Sequence, residues 1–333
     1  MNTTLLTLAQ KPALNPRDFA ELEGYEYYTL TPIEHDYAGK TPKMWNSLYR
    51  SFGFQIIGAM VVCDSQKAEA VVQAFRVDQK YIGGGAGVGF KDELPKFLDE
   101  LDPLAEAVQS VNVIKKMPSG KLRGYNTDGL GYRESLLQLM TVRGKKPEQS
   151  EIVILGAGGT GNAVAFALAE KFREVVILNR SVDKAKVLAE KVNSYVGKSV
   201  CRFGGEELIL DEIKTADVIL NVSTKGATGS LELYSALAPA VLPATKENVR
   251  TNLSKSKIVF AAVRPGTIVS DIVLRNDDSP FLAQAKKLGF TTLDGVPMVL
   301  NQGVEAFWIV HEAELKQKGI TKTEVKKVVM SIV

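Results

Sequence analysis

Val153-Ile154-Leu155-Gly156-Ala157-Gly158-Gly159-Thr160-Gly161 is a short apolar run that ends in glycines. An apolar, helix-forming segment, Asn162 to Glu170, follows at once, and a second apolar run, Val175-Val176-Ile177-Leu178, comes next. The order strand, tight turn, helix, strand predicts the first unit of a doubly wound parallel sheet. Gly156 lets the chain turn sharply off the strand. Gly158 lets backbone approach a pyrophosphate, and Gly161 lets the helix sit close to the strand. Gly159 and Thr160 belong to the same turn and are counted with the site. Phosphates placed here meet the free N–H groups and the positive end of the helix.

The end of the second strand selects the dinucleotide. An NAD-binding unit places Asp or Glu about 20 residues after the glycines to bind both ribose hydroxyls. This chain has Asn179-Arg180-Ser181 instead. Arginine offers a planar fork of donors that suits a phosphate, and no carboxylate at the strand tip repels a 2′-phosphate. The reading is NADP(H) over NAD(H). Asp183, a little further on, is the residue that argues the other way.

The whole chain sets wider bounds. Its 333 residues allow two domains and a sizeable core. At 45% hydrophobic and 24% charged, with a net charge of +3, it has an ordinary globular composition and no charge excess that calls for nucleic acid or a membrane surface. Cys63 and Cys201 lie far apart in apolar surroundings, without metal spacing. They read as buried free thiols of a reducing compartment, and the expected location is cytoplasmic. No apolar run approaches the ~20 residues needed to cross a bilayer. Met1 to Pro16 does not read as a secretory signal. With only His35 and His311, neither a histidine metal site nor a Ser-His-Asp triad is expected.

Taken in order, residues 1–22 read as a polar extension. Tyr25–Leu30 is a predicted strand, Pro32–Pro42 a loop, Lys43–Phe52 a helix ending at Gly53, Phe54–Val62 a strand and Gln66–Asp78 a helix. Tyr81–Phe90 is a strand or loop with five glycines, and Lys91–Leu98 begins another helix. Val111–Ile114 and Leu122–Asn126 pair across a turn at Pro118–Gly120. The helix Gly129–Met140 and the polar linker Arg143–Gln149 lead into the nucleotide unit. Beyond that unit, strands are expected at Val218–Asn221, Ile258–Ala261 and Phe290–Leu293, with a helix at Phe281–Leu288. Two helices follow, Met298–Lys316 and Thr321–Val329.

A nicotinamide cofactor needs a partner that handles a proton while hydride moves. Two candidates stand out by context. Lys91 follows the glycine-rich stretch, and Asp128 sits in Asn126-Thr127-Asp128-Gly129-Leu130-Gly131. Both lie at the C-terminal ends of predicted strands, where open α/β sheets build their sites. On spacing alone the plainer reading holds: Asp128 a helix cap, Lys91 a solvated lysine.

Together, and in this order, several segments resemble the shikimate dehydrogenase family from about Pro32 to the C-terminal helices. They are Asn126–Gly131, Gly156–Gly161, Asn179–Ser181, Asn221-Val222-Ser223-Thr224-Lys225-Gly226 and Asp294-Gly295-Val296-Pro297-Met298-Val299-Leu300-Asn301-Gln302-Gly303. The resemblance implies that Lys91 and Asp128 form the catalytic pair and that Asn112 and Gln302 bind substrate. It places Ser223 and Gly295 beside the nicotinamide. It also implies an α/β fold of two domains with a cleft between them. The substrate domain would be residues 20–135 plus 296–333, the C-terminal helices returning to it, and the Rossmann NADP domain residues 136–295. The activity implied is NADP-dependent interconversion of a secondary alcohol and a ketone on a cyclic hydroxy acid, within aromatic amino acid biosynthesis. A monomer or homodimer acting on a small molecule is expected.

The departures from the family bear on the substrate. The family's Ser-x-Ser-Pro aligns with Gly39-Lys40-Thr41-Pro42, so one hydroxyl is lost and Thr41 keeps the other. Its Asn-Val-Thr-x-Pro-x-Lys aligns with Gly85-Ala86-Gly87-Val88-Gly89-Phe90-Lys91. Its later Asp-x-x-Tyr finds no match in Ala261–Pro265. The hydride machinery is kept while the substrate grip is rebuilt, which disfavours shikimate itself. Glycine at 85 and 87 is expected to widen the pocket, and Lys40 reads either as a carboxylate partner in place of a serine or as a surface lysine. The rivals are a quinate or other divergent-substrate dehydrogenase and, in another class, a non-catalytic NADP or metabolite sensor.

The strand tip generates a first test. NADP(H) is expected to bind at least ~10-fold more tightly than NAD(H), a difference of ~1.4 kcal/mol, within reach of one charge-assisted phosphate contact. Arg180→Ala should weaken NADP(H) and leave NAD(H) nearly unchanged. Titration of both cofactors checks this, and NAD(H) binding as tightly as NADP(H) refutes it.

Overall fold

The computed structural model describes Lys11–Pro12, Leu22, residues 24–35 and residues 40–332, with backbone only for Lys11, Pro12 and Lys40. The expected N-terminal extension and the first half of the Gly39–Pro42 loop lie mostly outside these residues. The chain divides into two compact units. One takes the described residues up to Thr127 and those from Leu300 onward, and the other runs from Asp128 to Val299.

The first unit is built on a mixed seven-stranded sheet in the order β1-β3-β2-β4-β6-β7-β5. Its strands are β1 (Lys11–Pro12), β2 (Tyr27–Ile33), β3 (Ile56–Val62), β4 (Tyr81–Gly85), β5 (Glu100–Leu101), β6 (Val113–Lys116) and β7 (Leu122–Tyr125). β2 runs parallel to both β3 and β4, whereas β6 is antiparallel to β4 and β7. One face packs against α2 (Ala68–Val77) around Leu30, Val61, Val72 and the stacked pair Phe75–Tyr81. A separate apolar cluster joins α1 (Lys40–Phe52) to two C-terminal helices, α10 (Val296–Gln317) and α11 (Lys322–Met330), through Trp45, Leu48, Phe307, Val310 and Val325. Within it the Tyr49 hydroxyl bonds Thr29 Oγ1 at 3.0 Å and His311 Nε2 at 2.9 Å. His311 is fully buried, and that burial lowers its pKa to about 3, so the ring is neutral. α3 (Pro103–Val108) begins where Asp102 accepts the amides of Leu104 and Ala105, with Pro103 just inside the start.

The second unit holds a parallel six-stranded sheet in the order β10-β9-β8-β11-β12-β13. The strands are β8 (Glu151–Leu155), β9 (Glu174–Leu178), β10 (Cys201–Gly204), β11 (Val218–Asn221), β12 (Ile268–Asp271) and β13 (Thr291–Leu293). The order reverses between β8 and β11, which is the doubly wound arrangement expected from the opening stretch. Every residue of β8 is buried, because helices cover both faces of a central parallel strand. α4 (Asp128–Val142), α5 (Gly159–Ala169) and α6 (Val182–Val196) precede the short α7 (Ile209–Glu212), α8 (Lys246–Phe260) and α9 (Pro280–Lys287).

Two expected elements are corrected. Ile258–Ala261 is not a strand but the last turn of α8 and its cap. A four-residue apolar run does not distinguish a buried strand from a helix end. Here Thr245 caps the helix by accepting the Asn248 amide, and Asn252, Ser256 and Phe260 recur on one buried face. The sheet position is taken instead by β12. Lys91–Leu98 is not an α-helix: it is a run of turns with one 3₁₀ turn at Leu94–Lys96. Pro95 has no amide to donate to an α-helical ladder. The Lys91 carbonyl instead accepts the Val111 amide at 2.8 Å.

The crossing of α4 and α5 is close enough to exclude a side chain. A Cβ on Gly129 would fall inside contact distance of the Ala163 carbonyl oxygen and 3.0 Å from the Ala167 Cβ. Gly129→Ala is therefore expected to destabilise by ~1–3 kcal/mol, because the obstacle is backbone. Urea unfolding measures it, and an unchanged midpoint contradicts it.

Candidate active site

The turn after β8 is shaped by what glycine permits. Gly156 has φ +122, and a Cβ there would lie 2.9 Å from the Ser223 amide nitrogen. A Cβ on Gly161 would lie 2.9 Å from Val222 Cγ2 and 3.3 Å from the Gly156 carbonyl oxygen. Gly158 and Gly159 differ: both are exposed, and nothing lies within 4 Å of a Cβ at either. The protein's own packing does not demand glycine at these two positions. α5 opens at Gly159 with no side-chain cap and no acidic residue in its first turn, where Thr160 is half-buried. Uncapped amides, a positive helix end and open space above two glycines fit a dinucleotide pyrophosphate.

At the tip of β9 the Asn179 amide donates to the Gly204 carbonyl at 3.1 Å, and Asn179 Nδ2 donates to the Ser181 carbonyl at 2.9 Å. Asn179 thus shapes the turn that presents Arg180. Ser181 is the N-cap of α6, but its hydroxyl makes no cap bond. Arg180 is exposed and lines a cavity of about 540 Å³. Asp183 is exposed in the first turn of α6.

The ends of β11 and β12 are tied together by a buried carboxylate. Asp271 accepts from Asn221 Nδ2 at 3.0 Å, Ser279 Oγ at 2.6 Å and the Val273 amide at 3.0 Å. Asn221 Oδ1 in turn accepts the Ser223 amide and hydroxyl, at 3.0 and 2.6 Å, and Asn221 Nδ2 also donates to the Lys225 carbonyl. Burial pushes the Asp271 carboxyl up to about 6, against the pull of these hydrogen bonds. Gly295 is buried, and a Cβ there would overlap the Ile272 carbonyl oxygen.

In the first unit three expected and unexpected polar residues meet. Asn112 Nδ2 lies 3.0 Å from Thr127 Oγ1 and 3.3 Å from Gln302 Oε1. The Thr127 amide donates to Asn112 Oδ1 at 2.9 Å, and its hydroxyl lies 3.2 Å from the Gln302 carbonyl. The backbone of Asn112 is held on both sides, by the Ala86 amide and the Tyr125 carbonyl. Val111, next to it, holds the Lys91 loop. Lys91 and Asp128 are both half-buried, and Asp128 follows Thr127 as the first residue of α4. Thr41 is half-buried near the start of α1, and the Lys40 side chain lies outside the described residues.

The expected widening at Gly85 and Gly87 is overturned. A Cβ on Gly85 would lie 2.9 Å from Thr31 Oγ1, and one on Gly87 would overlap Ile33 Cγ2. Side chains of β2 fill that space, and Thr31 Oγ1 accepts the Gly85 amide at 3.1 Å. Gly89, where the aligned motif has proline, takes φ +88, which proline cannot adopt. Two residues of these networks carry no distinct signal in the sequence. Thr127 lies inside the Asn126–Gly131 motif, and its contacts come from residues distant in the chain. Asp271 ends β12, ten residues beyond the expected strand end, and the fourth position of its Asp-Ile-Val-Leu stretch is Leu274. Among the described residues no helix is long and apolar enough to cross a membrane. Both cysteines are buried and free, and burial pushes each thiol up to about 12.

Comparison with known proteins adds a second line. Residues 138–232 match the family model described as shikimate / quinate 5-dehydrogenase, and residues 31–114 the one described as the shikimate dehydrogenase substrate binding domain. The shikimate dehydrogenase (NADP(+)) of Pyrococcus furiosus is 31% identical over 287 residues, covering 86% of this chain and 90% of the relative. That of Methanocaldococcus jannaschii is 32% identical over 287 residues, covering 85% and 86%. A crystal structure of a shikimate dehydrogenase in complex with NADP+ superposes with a TM-score of 0.72 at 25% identity, covering 93% of this chain and 96% of that one.

The buried carboxyl generates a pH test. With its folded pKa raised from 3.8 to about 6, Asp271 keeps its proton in the folded chain where the unfolded chain has lost it. Its contribution is present below pH ~4 and lost as pH rises through 6. Relative to Asp271→Asn, the wild type should lose ~2 kcal/mol of stability between pH 4 and 7. Paired denaturation curves across that range check it, and a pH-independent difference refutes it.

Proposed function

Because this chain belongs to the shikimate dehydrogenase family, we propose that it is an NADP-dependent oxidoreductase. It interconverts a secondary alcohol and a ketone on a cyclic hydroxy acid of the shikimate or 3-dehydroshikimate type. The observation that carries the reading is the uncapped α5 start, open above Gly158 and Gly159, on a chain that carries Arg180 at the β9 tip. Gly156, Gly158, Gly159, Thr160 and Gly161 hold the pyrophosphate, and Asn179, Arg180 and Ser181 the adenosine 2′-phosphate end. Ser223 and Gly295 flank the nicotinamide. The bound cofactor supplies or accepts the hydride. Lys91 and Asp128 bind the reacting oxygen and move its proton. Asn112 and Gln302, held by Thr127, orient the ring hydroxyls, and Thr41 and Lys40 meet its acid group.

A second substrate reading, quinate or a differently substituted ring, is favoured by one observation. The loop before Lys91 follows a path set by Gly89 at φ +88 and is packed by Thr31 and Ile33, so it does not present the family's Asn and Thr. NADPH formation with shikimate, quinate and larger cyclic hydroxy acids separates the readings. Turnover of any of them removes a purely sensing role, and turnover of none refutes the enzyme reading.

Lys91→Ala and Asp128→Asn are each expected to cut turnover ~100-fold or more while NADPH affinity stays near normal. Steady-state kinetics with parallel cofactor titration checks this. Retained turnover in either variant refutes that residue's role.

A further inference from the structure

The cavity beside Arg180 has a wall that neither matched stretch contains. Its rim carries Arg180 after β9 and Glu206 and Glu207 after β10, and its far side is α8, through Lys255, Ile258 and Val259. α8 spans Lys246–Phe260, beyond the matched residues 31–114 and 138–232. We propose that α8 closes the adenosine end of the cofactor site, with Lys255 a second cation for the 2′-phosphate. This rests on the NADP reading above.

The charges of the cavity support that role. Glu206 is neutralised from behind: Lys225 Nζ donates to its Oε1 at 2.8 Å and to the Ala238 carbonyl at 2.9 Å. Glu207 is exposed on the same lining with its carboxylate over Gly205, so it leaves one negative charge that the cations facing the cavity must offset. Arg180 and Lys255, both exposed, are the cations that line the cavity. A phosphate monoester carries about −1.5 to −2 at neutral pH, so one guanidinium leaves it undercompensated and a second cation completes the match. The guanidinium contributes a planar fork, the ammonium a mobile point charge. The apolar part of the wall has a use as well. Ile258 is 67% exposed on α8, and with Val259 it gives the cavity an apolar lining of the kind an adenine ring packs against.

Calorimetric titration of 2′,5′-ADP and 5′-AMP tests the proposal without turnover. The proteins are the wild type, Lys255→Glu and Lys255→Arg, with thermal midpoints confirming that each is folded. Lys255→Glu should weaken 2′,5′-ADP by about 10-fold and leave 5′-AMP within about 2-fold, while Lys255→Arg stays close to wild type. Equal weakening of both nucleotides, or of neither, overturns the role of Lys255 while leaving the NADP reading standing. A wild type that binds neither 2′,5′-ADP nor NADPH overturns both.

Discussion

At Gly156 the backbone turns at φ +122 against the Ser223 amide, and there is no room for a side chain. This crossing fixes where β8 ends, where α5 begins and how close the Asn221–Gly226 loop lies to both. Gly161, packed on Val222, repeats the constraint one turn into the helix. The open space above Gly158 and Gly159 is the complement of that tight packing. The glycines that are squeezed hold the turn, and those that are not leave its amides reachable. The Asp271 network stiffens the same region from the other side, since its carboxylate links the ends of β11 and β12 to the start of α9.

The nucleotide unit was legible because its signals are local. An apolar run, glycines at fixed offsets and a helix-forming segment lie within about thirty residues, and the strand order then follows from right-handed crossovers. The region after Asn221 was less legible. Ile258–Ala261 has strand composition, but the Thr245 cap and the spacing of Asn252, Ser256 and Phe260 make it helical. The strand lies ten residues further on and ends at Asp271. Asn112 and Gln302 illustrate the opposite case. They stand 190 residues apart in the chain, and no spacing rule joins them, yet the resemblance named both and the structure puts them 3.3 Å apart.

The loop before Lys91 shows why a glycine in an alignment is not the same as space in a structure. Removing a side chain leaves a void only when nothing else moves in. Here Thr31 and Ile33 of β2 stand where Cβ atoms at 85 and 87 would be, and the Thr31 hydroxyl satisfies the Gly85 amide. The change is a repacking of loop against strand, and any selectivity it creates comes from altered polarity and loop path rather than added volume.

The two-residue strand β1 has a consequence for how the molecule behaves at high concentration. It pairs antiparallel with β3, Lys11 opposite Val62 and Pro12 opposite Val61. Without it β3, with five consecutive buried residues, would be a bare edge able to recruit a strand from a neighbouring chain. β1 is too short to act as a template itself, and Pro12 has no N–H to offer. The edge of the other sheet is blunted by charge: Arg202 on β10 is held by Glu174 and Glu212. At these two edges, addition of a strand from a neighbouring chain is therefore disfavoured.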